Sequence, residues 1–425
     1  MNVLVVSNLY PPAVFGGYEI ICRQVVEGLK ARGHRVAVLT SSFGAEAAPA
    51  EPGVERSLAL TTSFPRPGEE VGFVDFRLHA MHRVARRNRA LTLARIDADP
   101  PDVVFCWSLN RLSLGPICAA QARHVPVCYA LEDEHPKQFR STRQVDGMRA
   151  LCRYAAERWL WPMATFRLLK PFSATVNSEA LKRALIAQGV PVEHAQVVYH
   201  GVPLDQFPFR PSPRVAGTSC QLLYVGQLSR VKGVHTLLRA AGLLLRSGED
   251  FQLDIVGSGV PSYERTLRKI SRAEGVDQRV NYAGQVAHDE IPQVYQRHHV
   301  LAFPSEWEEP FGLTHLEAMA SGCAVVSTRT GGSAELIRYG QNALAFQAGD
   351  AQDLAAKLRG LMRDEAARQA LIRRARAWVE ARHAFDLYLR EVESLLRAAT
   401  APALPRLRGR ALGAPLPADA WSKVR

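Results

Sequence analysis

The chain has 425 residues, 47% of them hydrophobic and 22% charged, with a formal net charge of +12. These proportions exclude a disordered, collagen-like or coiled-coil chain, and the length suits two or three domains that bury their own cores. The positive balance favours anionic partners, whether nucleotides, phospholipid surfaces or nucleic acid, without choosing among them.

Short apolar runs bounded by turn residues alternate with amphipathic stretches from the first residue onward. Residues 3–6 read as a buried strand that opens the chain, with no charged start or cleavage site of a signal peptide. Pro11-Pro12 and Gly16-Gly17 form a loop before a helical pattern over 19–32, and a strand follows at 36–39. Residues 76–94 read as a helix, and 76–95 carry six arginines, two histidines and no acid. Such a basic amphipathic helix has two readings: docking on an anionic membrane, or a solvated arginine face. Asp97-Ala98-Asp99 spells a metal-binding D-x-D, but reads here as a polar loop ahead of the strand at 103–106. Trp107 and Asn110 follow that strand and are candidate site residues, since a tryptophan can stack on a ring face, with core packing as the alternative for both. After the strand at 125–130, Glu132 to His135 read as a loop at the edge of a cleft, because consecutive acids cannot all converge on one ion. A strand at 174–176 and a helix at 180–188 complete the first series. His200 reads as a hinge or packing residue.

Residues 207–219 are rich in Pro, Gly and Ser and predict a linker. The alternation then restarts with strands at 221–225, 251–256, 280–283, 300–303 and 324–327. Two βα series predict two doubly wound α/β domains facing a central cleft, the first over 1–206 and the second over 220–374. A C-terminal helix at 375–399 is expected to cross back to the first domain. A tail at 400–425, with four prolines and little periodicity, is expected to be extended or disordered. Seven scattered cysteines without a C-x-x-C pair argue against structural zinc and secreted disulfides, so a reducing cytoplasm is expected. No apolar run is long enough to span a membrane.

The densest block of chemistry is Phe303 to Gly322. A strand end leads into a loop with Glu306, Glu308 and Glu309, and then Pro310, Phe311 and Gly312 open a helix carrying Glu317. A helix N-terminus offers free N–H groups and a positive dipole end, which suits phosphate. Carboxylates on either side of it accept hydrogen bonds from sugar hydroxyls.

This block resembles the E-x7-E signature of retaining nucleotide-sugar glycosyltransferases with the GT-B fold, of the family 4 type. The resemblance runs from residue 1 to about 397. Gly16-Gly17, Asn177-Ser178-Glu179, the segment from Tyr199 to Phe207, the loop from Tyr224 to Gly233, and Gly331-Gly332 with Glu335 match further landmarks in order. It implies that Lys232 contacts the donor diphosphate, Glu309 the donor sugar and Glu317 the ribose. Backbone groups of Phe311, Gly312 and Leu313 would meet sugar or diphosphate, with Gly16, Gly17, Gly226 and Gly257 lining the donor site and the turn at 285–288 facing the base. Two departures stand out. Gln227 occupies the place of the family arginine, so Arg230 is the candidate to replace that charge. Trp107 and its neighbours stand where a histidine is common, so no protein general base is assigned, and Trp107 and Asn110 are the acceptor-side candidates.

The resemblance implies transfer from a UDP, GDP or ADP sugar to a hydroxyl acceptor, with no cofactor, no metal and no nucleic acid. A cytoplasmic enzyme, peripheral at the inner face of the membrane, is the corresponding expectation. The alternative is a GT-B protein that binds nucleotide sugars without catalysis. A dehydrogenase is disfavoured because the first strand leads into a loop without G-x-G-x-x-G.

Overall fold

The computed structural model describes residues 1–46, 49–62, 78–139, 147–160, 163, 165–166, 169–170, 172–213, 215 and 217–401. The expected tail from 402 onward and the start of the basic segment at 76–77 lie outside them. Two parallel sheets organise the chain. The first holds β1 (Asn2–Ser7), β2 (Arg35–Ser41), β3 (Val54–Leu58), β4 (Val103–Ser108), β5 (Val127–Leu131), β6 (Ser173–Val176) and β7 (Gln196–Val197), in the order β3-β2-β1-β4-β5-β6-β7. The second holds β8 (Cys220–Val225), β9 (Phe251–Val256), β10 (Val280–Gly284), β11 (Val300–Phe303), β12 (Ala324–Ser327) and β13 (Leu344–Ala345), in the order β10-β9-β8-β11-β12-β13. Each order reverses beside the first strand of its series, the arrangement that opens a crevice at the strands' carboxyl ends. Central strands are apolar on both faces because helices cover both sides: β4 and β5 are buried at every residue.

The two domains are joined where the chain crosses twice. The expected single helix at 375–399 is instead two, Glu365–Arg382 and Phe385–Thr400. They break at His383 and Ala384, and Ala384 is extended, at φ −65° and ψ 137°. There the returning chain pairs with the outgoing one: Val202 N donates to His383 O at 2.8 Å and Phe385 N to Val202 O at 3.0 Å. A Cβ on Gly201 would stand 2.7 Å from Ala384 O, so only glycine lets the segments approach this closely. Trp378 packs on the second domain's core, whereas Tyr388, Leu389, Val392 and Leu396 join the first core with Val25, Val26 and Leu29.

A second clasp lies nearer the cleft. Glu335 accepts from the backbone N–H groups of Glu179 and Ala180 at 3.0 and 2.8 Å, the first turn of the helix Glu179–Ala187. Ser178 Oγ donates to Pro310 O at 2.6 Å. A carboxylate at a helix N-terminus is favourably placed against the helix dipole, so the second domain caps a helix of the first.

The helix Leu78–Ala98 turns Ala85, Asn88, Thr92 and Ile96 inward, and Leu91, Leu93 and Ile96 join the first core. Arg83, Arg86 and Arg87 point to solvent. Its described apolar side chains are therefore spent on folding, and Arg83, Arg86 and Arg87 form a solvated face. We expect Leu389→Ala to lower stability by about 2–5 kcal/mol, because it empties a filled site between the returning helix and the first core. Urea midpoints at unchanged slope would measure this, and a loss below about 1 kcal/mol would show that the helix is only loosely docked.

Candidate functional site

A cavity of about 370 Å³ opens between the two sheets. Two helix N-termini face it, one from each domain. Gly17 begins the helix Gly17–Ala31, Gly312 and Leu313 begin the helix Leu313–Ser321, and all three line the cavity. They meet closely: Leu313 Cδ1 lies 3.3 Å from where a Cβ on Gly17 would be. Two positive dipole ends with free N–H groups make this corner suited to an anion.

The charged wall comes from two loops of the second domain. Lys232 Nζ donates to both carboxylate oxygens of Glu309, at 2.7 and 2.8 Å. Both side chains are largely buried, at 16% and 7% exposure. Ser305 Oγ donates to the same carboxylate, and Lys232 Nζ sits 4.9 Å from the centre of the Trp307 ring. Backbone contacts hold the loops together, with Glu306 N donating to Val231 O at 2.8 Å. Thr236 Oγ1 also donates to the Glu306 carboxylate at 2.8 Å. Gly233, at φ +68°, is required here: its Cβ would fall 1.9 Å from Pro304 O. Behind Glu309, Gly332 N donates to its carbonyl at 2.6 Å, which ties the Gly331-Gly332 turn to the same loop.

Glu317 lines the cavity just over one turn into its helix, and Tyr295 Oη donates to it at 2.9 Å. Burial pushes its pKa up to about 7, with the tyrosine pulling the other way. His315, buried in the same helix, is held between Gly312 O and Ser327 Oγ, and burial lowers its pKa to about 4. It is therefore neutral and fixes the turn at Gly312.

The first domain supplies a polar wall that sequence reasoning missed in part. Glu132, Asn177 and His200 line the cavity from the ends of β5, β6 and the crossing segment. His200 Nε2 meets Glu132 Oε2 at 2.5 Å, and Asn177 Nδ2 donates to the same oxygen at 3.0 Å. His200 is thus part of the cavity wall as well as of the crossing. The sequence signal was the family landmark from Tyr199 to Phe207, which gave no role for His200 itself; its partner is 68 residues away.

Of the expected site residues, Gly17, Gly226, Lys232, Glu309, Phe311, Gly312, Leu313 and Glu317 converge on this cavity. Gly16 lines an adjoining cavity of about 970 Å³ with Val14, Phe15 and the turn Gln285 to His288, and its N–H is already engaged by Glu19. Gly257 stands behind the lining, its N–H donating to Gly284 O. Gln227 and Arg230 are exposed and lie outside the lining of this cavity. Lys232 is the only lysine or arginine lining it among the described residues.

Trp107 requires a correction. It is the fifth residue of β4 and has no exposed surface, so no face is free for a sugar. Strand periodicity puts it on the same side as Phe105, with the rings 5.5 Å apart, and its Nε1 donates to Tyr18 O at 3.1 Å. Asn110 is buried and also outside the cavity lining. Asp97 and Asp99 are bound to arginines, Asp97 by Arg123 and Asp99 by Arg35 and Arg95. No group of three or more His, Cys, Asp or Glu able to hold a metal occurs among the described residues. No helix there is long and apolar enough to cross a membrane.

Comparison with known proteins agrees with this geometry. Residues 15–206 match the family described as Glycosyltransferase Family 4, and 205–378 match Glycosyl transferases group 1. The chain is 30% identical over 388 residues to a glycogen synthase of Mycobacterium tuberculosis, covering 89% of each. In fold it is similar to Anabaena HepE, solved with UDP and glucose, at TM-score 0.68 and 20% identity over 94% of this chain and all of the other. It is likewise similar to sucrose-phosphate synthase of Thermosynechococcus elongatus, at TM-score 0.69 and 20% identity, covering 93% and 98%. With a parallel two-sheet cleft, a lysine and two carboxylates around a helix N-terminus, and relatives along nearly its whole length, the chain belongs to the GT-B glycosyltransferases of the family 4 type.

Proposed function

We propose that this glycosyltransferase takes a sugar from a nucleoside diphosphate donor and transfers it, with retention and without a metal, to a hydroxyl acceptor in glycan, polysaccharide or glycolipid synthesis. The observation that carries this reading is the Lys232–Glu309 pair beside the N-terminus of the helix Leu313–Ser321, with Glu317 on the same helix. HepE, similar in fold, was solved with UDP-glucose, which supports a nucleotide-sugar donor of the UDP type for this cleft too.

In this reading the diphosphate sits between the two helix N-termini and Lys232. Negative charge grows there as the bond from the anomeric carbon to the phosphate oxygen breaks. Fixed N–H groups and the ammonium stabilise that charge more than they stabilise the bound donor, which is what lowers the barrier. Glu309 accepts from hydroxyls of the sugar and Glu317 from those of the ribose. The acceptor oxygen forms its bond to the anomeric carbon on the face the diphosphate leaves, and the leaving phosphate oxygen takes the acceptor's proton. This route needs no protein base. The Glu132, Asn177 and His200 wall faces the acceptor side and orients its hydroxyls.

A specific observation favours a second reading. With Gln227 and Arg230 off the lining, Lys232 alone supplies protein charge to the diphosphate there, which suits a protein that binds the donor without transferring it. Transfer or slow donor hydrolysis by the purified protein excludes this alternative; tight donor binding with neither supports it.

Nucleoside diphosphates and their sugars should raise the melting midpoint, with one base strongly preferred and EDTA without effect. Dependence of the shift on EDTA would overturn the metal-free reading. Lys232→Ala is expected to lower kcat by about 100-fold or more, in the range seen when one stabilising donor is removed. A loss of similar size in KM alone, with kcat intact, would place Lys232 in ground-state binding.

Affinity for the nucleoside diphosphate should rise with pH through about 7, because ribose hydroxyls donate to the ionised form of Glu317. The raised pKa keeps the free protein protonated below that value, so binding releases a proton. Between about pH 6 and 8 the gain is at most about tenfold, and Glu317→Gln should flatten it to the dependence of the nucleotide alone. The same raised pKa makes the ligand-free fold less stable as pH rises from the usual glutamate value towards 7, since ionisation is then easier in the unfolded chain.

A further inference from the structure

The long connection between β5 and β6 leaves the carboxyl end of β5 at Glu132, beside the cleft, and returns at Ser173. Within it lies the helix Met148–Ala155, continued as a wider turn over Ala156–Leu160. Met148, Leu151, Cys152 and Ala155 follow the spacing i, i+3, i+4, i+7, and Trp159 continues the same stripe. A stripe of this kind in a soluble domain normally packs inward. Here it faces out: Met148 is 72% exposed, Leu151 49% and Trp159 76%, and no side chain of Met148–Ala155 is buried.

The opposite face is the one turned to the protein. Glu157 is 4% exposed and receives Arg153 Nε at 3.1 Å. At helical spacing Arg149 falls on one side of the apolar stripe and Arg158 on the other, and both are exposed. Arg158 also reaches the Trp159 ring, its guanidinium carbon 5.7 Å from the ring centre. The surrounding sequence, residues 140–170, holds seven lysines and arginines against two acids, within a chain of net charge +12.

An outward apolar stripe with an exposed tryptophan, rimmed by arginines, matches an interface between hydrocarbon and anionic head groups. A protein groove would match the stripe but gives no reason for a one-signed rim. We propose that the segment Met148–Leu160 docks on an anionic lipid surface, with Met148, Leu151 and Trp159 entering the head-group boundary and Arg149 and Arg158 meeting lipid phosphates. This reassigns the membrane contact expected from the sequence. Leu91, Leu93 and Ile96 of the helix Leu78–Ala98 pack on the core, whereas Met148, Leu151 and Trp159 are exposed. The docking itself does not rest on the proposed transferase reading.

The test is co-sedimentation of the full chain with vesicles of phosphatidylcholine alone and with a third phosphatidylglycerol. Binding is expected to be at least about tenfold tighter to the anionic vesicles and to weaken in high salt. The double variant Leu151→Glu with Trp159→Glu should lose it by at least about tenfold. Its thermal shift with nucleoside diphosphate should match the parent, which shows that it folds and separates failure of docking from failure of the donor site. Brominated lipid should quench the parent's tryptophan emission and quench Trp159→Phe less. Equal binding to neutral vesicles, no binding at all, or undiminished binding by the double variant would overturn the proposal. So would a parent that self-associates through this stripe in sedimentation equilibrium while the double variant is monomeric, since the stripe would then be an interface between copies.

Discussion

Parallel pairing is the constraint from which the rest of this structure follows. Strands that all run one way must be joined by crossovers, so every loop after a strand emerges at the same end of its sheet. The ends of β5 and β6 supply Glu132 and Asn177, while the ends of β8 and β11 lead to Gly226, Lys232 and Glu309. Two such sheets with their carboxyl ends turned towards one cleft gather residues from distant parts of the chain, and the helices that begin there point their N-termini at it. The anion site is a consequence of handedness and connection before any side chain is chosen.

What the side chains add is a way to hold two domains at a fixed cleft without fusing them. The paired segments at Val202 and Ala384 carry the chain across, and Glu335 caps a helix of the other domain. Both contacts are hydrogen-bonded and narrow, and a narrow polar joint is the kind that permits rigid-body closure. Phe311 and His200 meet edge to face at this joint, with ring centres 5.2 Å apart. The loop that carries Glu309 is therefore linked to the crossing itself, and in the proposed reading closure would move that loop and the crossing as one piece.

Most of this fold was legible because its central strands are unbroken apolar runs, a pattern that burial on both faces demands. The strands left unread were β3, with three consecutive polar residues between Val54 and Leu58, and the two-residue β7 and β13. All three lie at or next to a sheet edge, where burial does not impose a pattern. The break at His383 was hidden because both flanking helices continue the same periodicity, and the requirement to stop comes from pairing with Val202. Lys232 and Glu309, 77 residues apart, were legible as partners in one site through family resemblance, not through local pattern. The family landmark around His200 gave no hint of its pairing with Glu132, 68 residues away. Trp107 was misplaced by a strand end: read as loop it faces the cleft, but two more residues of strand turn it into the core.

The Lys232–Glu309 pair shows why the site is costly and why it is kept. Two charges taken from water recover little net stability from each other, and apolar residues of the same size often do as well. The fold gains nothing by burying them here that packing could not supply. What the pair does supply is mutual restraint. Each group is held at the cavity wall by the other, with Ser305 on the carboxylate and the Trp307 ring beside the ammonium, so neither must be ordered when the donor arrives. In the proposed reading, a diphosphate can take over the ammonium only if sugar hydroxyls take over the carboxylate, because a half-replaced pair strands a buried charge. A free phosphate satisfies one half and a free sugar the other. The linked donor satisfies both, and the discrimination follows from the cost of the charge left behind.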